Sequence, residues 1–138
     1  LQAVLEKIMS NIAQHHYFLR IRQQGVDIAM GSPEQARIGV RDHRIEIEFR
    51  LPMATPLDPG KGDIVYRIAE PTYYFEMLHA EDSAAIVLKD APSGCGYRLE
   101  PPKPDAALIA YAASLGIDES GGDSLGMQFS ETVTIRCE

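Results

Sequence analysis

The run Arg44-Ile45-Glu46-Ile47-Glu48-Phe49-Arg50-Leu51 decides the fold, because apolar and charged residues alternate in it without a break. Successive side chains on a strand point to opposite faces, so Ile45, Ile47, Phe49 and Leu51 share one side and the charged residues the other. Such alternation marks an antiparallel sheet with one face buried and one solvated. Upstream, Ala36, Ile38 and Val40 repeat the pattern and Asp42-His43 supplies the turn, which predicts a hairpin.

The same reading extends in both directions. Tyr17, Leu19 and Ile21 alternate with Phe18, Arg20 and Arg22; Gln24-Gly25 then turns the chain into Val26, Ile28 and Met30. Strand patterns return at Ile64 to Ile68, Tyr73 to Leu78, Ile86 to Leu88, Cys95 to Leu99 and Thr132 to Cys137. Between them Pro52 to Gly62 holds prolines and glycines without periodicity and reads as a connecting loop. Leu1, Val4, Leu5, Ile8, Met9 and Ile12 fall on one helical stripe, predicting a helix from about Leu1 to about Gln14. Asp105 can cap a second helix over Ala106 to Leu115, and the polar, Gly-rich stretch Ser120 to Gly126 predicts a loop.

Eight or nine short strands with one-sided burial need a second layer to hide their apolar faces. The class expected is therefore mainly β (α+β): an antiparallel β-sandwich-like domain with an N-terminal helix and a short helix near 105–115. The 138 residues fit one domain, 1–138. The helical stripe begins at Leu1 with nothing before it to serve as an N-cap, which gives the expectation that the chain continues upstream and that this domain is the C-terminal portion of a longer protein.

Composition narrows the function classes. Hydrophobic residues make up 45% and charged residues 24%, the balance of a globular chain, and no apolar run reaches the roughly 20 residues of a membrane-spanning helix. A net charge of −7, with basic residues spread along alternating strand positions, argues against nucleic acid as a partner. Acidic surface for solubility is the simpler meaning of that charge.

Cys95 shares its strand parity with Tyr97 and Leu99, and Cys137 shares its parity with Val133 and Ile135, so both thiols are expected to point into the core, where they could meet. A Cys95–Cys137 disulfide implies an oxidising compartment; two buried free thiols of a cytosolic protein are the alternative. No redox or zinc-type cysteine spacing occurs.

Positive signs of catalysis are missing. No Gly-x-Ser-x-Gly elbow, phosphate-binding glycine loop or patterned set of Ser, His and acid is present. His15 and His16 are the weak candidates for a metal ligand; adjacent histidines lack the i,i+2 or i,i+4 spacing of paired ligands, and a frayed helix end suits them better. His43 reads as a turn residue and His79 as the end of a strand. Asp118, Glu119 and Asp123 resemble a calcium loop in composition but not in spacing. Tyr73 and Tyr74 must face opposite sides of their strand, and the outward one is a weak candidate for a binding surface.

Several short motifs, in order, carry a resemblance: Tyr66-Arg67-Ile68-Ala69-Glu70-Pro71-Thr72-Tyr73-Tyr74, Ala91-Pro92-Ser93-Gly94-Cys95, Gly121-Gly122-Asp123-Ser124-Leu125-Gly126 and Phe129-Ser130-Glu131-Thr132-Val133-Thr134-Ile135-Arg136-Cys137. They resemble a bacterial exported family, the domain of unknown function numbered one thousand and seven, described as the periplasmic component of an uncharacterised ABC-type transport system. The resemblance implies a non-enzymatic periplasmic accessory or binding domain beside a membrane transporter component. The neighbourhood of nickel and cobalt transporters in that family implies divalent transition metals such as nickel, cobalt or zinc. It gives no metal ligand to a numbered position, because the family's His-Pro-His segment precedes the helix that starts here at Leu1. No cofactor is expected within residues 1–138, and a divalent metal is expected only in the longer protein. A protein–protein interaction or scaffold module without a metal role is the alternative.

Overall fold

The computed structural model describes residues 1–15, 19–68, 78–81, 85–116 and 125–138, without the side chains of Gln14 and His15. They form three helices, α1 (Gln2–His15), α2 (Ala106–Ser114) and α3 (Leu125–Gln128). Seven strands accompany them: β1 (Leu19–Gln23), β2 (Val26–Asp27), β3 (Glu34–Arg41), β4 (Arg44–Arg50), β5 (Ile64–Ile68), β6 (Cys95–Glu100) and β7 (Thr132–Cys137). Every strand pair is antiparallel, so the class is α+β and mainly β. The chain separates into two compact units, one of residues 1–17 and 28–57, the other of residues 18–27 and 58–138.

The first unit holds α1 and the β3–β4 hairpin. Leu5 and Ile12 are the buried members of the helical stripe. At the hairpin tip both Asp42 (φ 51°) and His43 (φ 62°) take the left-handed conformation, the type I′ geometry whose twist matches paired strands. His43 is the turn residue expected. Gln35 (φ 54°) marks a bulge where the register shifts between Glu34 and Arg37. The wet face is laced by Arg37–Glu48 at 2.6 Å and Arg41–Glu46 at 3.3 Å.

The expected burial of the apolar face is met only in part. Ile38 and Ile47, which are cross-strand partners, are half-buried, but the next pair, Val40 and Ile45, is 60% exposed on each side. Alternation sets the side on which a residue lies; cover comes from other elements, and it stops short of the hairpin tip.

The second unit is built on a five-stranded sheet in the order β2-β1-β5-β7-β6. Gln24 (φ 53°) and Gly25 (φ 74°) turn β1 into β2, which is only two residues long where the alternation predicts a strand as far as Met30. The registers Ile21↔Tyr66, Tyr66↔Val133 and Leu99↔Val133 put these residues on one apolar face. Ile21, Ile64 and Val133 are its buried members, Val133 at 0% exposure. A separate cluster joins α2 to α3 through Ala112, Leu125 and Phe129. Asp105 caps α2, its Oδ1 accepting the Leu108 N–H at 2.7 Å.

Two expectations are corrected here. Ile86 to Leu88 form no strand; three apolar residues without alternation supply β propensity but no face to bury. Leu125 and Gly126, read as loop, begin α3 and are buried, because Leu125 packs with Phe129 and Ala112. No helix among the described residues is long and apolar enough to cross a membrane.

Candidate functional site

Cys95 and Cys137 are joined by a disulfide and are direct cross-strand partners, with Cα atoms 3.9 Å apart. Strand parity places them as the sequence indicates, on the face of Tyr97, Leu99, Val133 and Ile135. Both are half-buried, however, and not in the core. They sit at the end of the β6–β7 ladder, beside the bond from the Glu138 N–H to the Gly94 carbonyl. His16, Tyr73, Tyr74, Asp118, Glu119 and Asp123 lie outside the described residues, as does the side chain of His15. Among the described residues no group of three or more His, Cys, Asp or Glu could hold a metal ion.

A buried polar network forms on the apolar side of the sheet. Glu131 lies just before β7 and has the inward parity of Val133, and its side chain is 11% exposed against 10% for His79. One carboxylate oxygen, Oε1, accepts the His79 backbone N–H and lies 3.3 Å from His79 Nδ1. On the other side of the ring, Tyr66 Oη lies 3.1 Å from Nε2. With Nδ1–H donating to Glu131, Nε2 is the acceptor and the Tyr66 hydroxyl donates to it. Both nitrogens of the ring are thereby engaged.

Burial first, then the charge of Glu131, pushes the Tyr66 phenol above its ordinary value of 10.0. A raised pKa keeps Tyr66 as a neutral donor, the opposite of an activated nucleophile. Linkage has a definite sign here. The unfolded chain ionises Tyr66 near 10.0 and the folded chain later, so this contribution to stability is fully present below pH 10 and is lost as pH rises through the higher folded value. Absorbance titration of the phenolates should show a late-ionising tyrosine that disappears in Tyr66→Phe. A Tyr66→Phe curve that overlays the wild type apart from an ordinary tyrosine would refute it.

The opposite face of the sheet gathers charge. Arg20 and Arg22 of β1, Arg67 of β5, Arg98 of β6 and Arg136 of β7 share it, so residues spread in sequence meet in space. Three of these five arginines have carboxylates: Arg22–Asp27 at 2.7 Å, Arg98–Glu100 at 2.6 Å and Arg136–Asp63 at 2.6 Å. Arg136 grips Asp63 with a fork, Nε to Oδ1 at 3.0 Å and Nη2 to Oδ2 at 2.6 Å. That hydrogen bonding, helped by the charges of Arg136 and Arg98, holds the Asp63 carboxyl below its ordinary range. Arg20 and Arg67 differ: they are direct cross-strand partners, and neither has a carboxylate among the described residues. Both line a concavity of about 570 Å³ with Val65 and Met127.

Fold and site define a mainly β domain with one cross-strand disulfide, a closed polar network inside and an arginine-bearing sheet face outside. The chain belongs to the family described as protein of unknown function (DUF1007), which matches residues 1–137. It is 29% identical over 140 residues to an uncharacterized protein of Haemophilus influenzae, a match that covers 99% of this chain and 68% of that protein. No solved structure matches the chain significantly.

Proposed function

We propose that this chain is a non-enzymatic periplasmic domain that accompanies a transport system, handling divalent transition metals such as nickel, cobalt or zinc or docking to the membrane component. The Cys95–Cys137 disulfide is the observation that carries the exported part of this reading. Cytosolic glutathione and thioredoxin keep such thiols reduced, whereas the periplasm pairs them. The non-enzymatic part is supported by the state of the buried network seen among the described residues: His79 has both ring nitrogens occupied, and Tyr66 is held protonated. The His79 side chain is only 10% exposed, which supports a structural role, because proton transfer to a substrate needs the group within its reach. The metal part rests on the family resemblance.

Two measurements test the reading. Thiols titrated in denaturant, without reductant, on protein recovered from its bacterial host should be absent and should appear after reduction; two free thiols from the start would remove the exported reading. Calorimetric titration of this chain and of the whole gene product with Ni, Co and Zn ions should give micromolar binding by one form. Binding by neither would remove the metal role.

A further inference from the structure

We infer that the concavity on the polar face of the five-stranded sheet binds a small organic acid, whose carboxylate or phosphate group bridges Arg20 and Arg67. The register makes the two arginines immediate neighbours on β1 and β5. Like charges directly opposite on adjacent strands repel, and the other arginines on this face relieve that repulsion with Asp27, Glu100 and Asp63. Only Arg20 and Arg67 are left without such a partner among the described residues. Two guanidinium groups on neighbouring strands, each a planar fork of N–H donors, suit the oxygens of one oxyanion placed between them.

The rest of the lining says what the anion is attached to. Val65 precedes Arg67 by two residues on the same face, and Met127 of α3 lies on the same concavity, so a short apolar body has a surface to rest on. Gln24, at the β1–β2 turn, adds an amide at the rim. Asp27 and Asp63 also line the space, but their charges are answered by Arg22 and Arg136. A volume of about 570 Å³ is that of a small-molecule site. A long polyanion is disfavoured, because the chain carries a net charge of −7 and Asp27 and Asp63 stand in the same lining as the arginines. The inference is independent of the export and transport reading.

An NMR titration of the folded chain at fixed ionic strength tests it, with hexanoate and phenyl phosphate as probes, hexanamide as the neutral control and phosphatidylglycerol vesicles as the lipid arm. Hexanoate or phenyl phosphate should shift the amides of Arg20, Val65 and Arg67 saturably, and hexanamide should not. Arg20→Gln and Arg67→Gln should each weaken binding about tenfold, the loss of one charge-assisted contact. Arg20→Lys, which keeps the charge without the fork, should weaken it less. Each variant is compared with the wild-type spectrum to establish that the sheet is intact; removing one of two opposed charges is not expected to unfold it. No saturable shift with either anion, equal shifts with hexanamide, unchanged affinity in both glutamine variants, or binding to vesicles alone would overturn the proposal.

Discussion

Replacing Cys95 and Cys137 together by alanine is expected to lower the stability of the sheet unit by roughly 4 kcal/mol, the loop-entropy value for a closed loop of about this length. The two cysteines are 42 residues apart, and the bridge removes that much freedom from the unfolded chain. A loss of this size is a large share of the 5–15 kcal/mol that typically separates folded from unfolded domains. The effect should also be local. Among the described residues β6 is an edge strand hydrogen-bonded to β7 alone, and Cys95↔Cys137 is the first pair of a ladder that runs to Glu100↔Thr132. Without the bond, the amides of β6 should exchange with solvent ahead of those of β5, which is paired on both sides. Urea unfolding of the oxidised wild type, the reduced wild type and the double alanine variant checks this. Both altered forms should move to lower midpoints together; an unfolding free energy within about 0.5 kcal/mol of that of the oxidised protein, the scatter of ordinary surface substitutions, would contradict it.

Much of the sheet is legible in the sequence for one reason: strand parity is a local property. Thr132 to Cys137 reads directly as β7, Cys95 to Leu99 as all but the last residue of β6, and the turns at Gln24-Gly25 and Asp42-His43 are marked by Gly25, Asp42 and His43, residues that accept positive φ. What parity cannot supply is the identity of the neighbouring strand. Arg20 and Arg67 become a pair only because β5 lies between β1 and β7, an order that no local pattern encodes. Nor does parity measure cover, which is why Val40 and Ile45 lie on the apolar side yet remain exposed. Glu131 is a different case. Its inward parity with Val133 and Ile135 is visible in the sequence, and a carboxylate on a buried face demands a partner. That signal points to a buried acid; finding His79 as the partner needed the fold, since a loop brings it there.

Glu131→Ala should therefore destabilise the sheet unit by about 2–3 kcal/mol, through the groups it leaves behind more than through the bonds it removes. The carboxylate serves the backbone N–H and the ring Nδ1 of His79, and both lose their acceptor in a site where water has little access. Tyr66 limits relaxation, because its hydroxyl holds the opposite side of the ring. Glu131→Gln keeps an acceptor oxygen but no charge, so it should cost about half as much, charge-assisted bonds being roughly twice as strong as neutral ones. His79→Phe removes the ring's polar atoms together with their needs, leaves only the backbone N–H on Glu131, and should fall between these two. The ordering Glu131→Ala, then His79→Phe, then Glu131→Gln in urea midpoints would identify the network as structural. An enzyme would separate stability from chemistry at these positions. If Glu131→Gln proved as stable as the wild type while abolishing a turnover measurable in the unmodified chain, the three side chains would be catalytic groups and the non-enzymatic reading would fall.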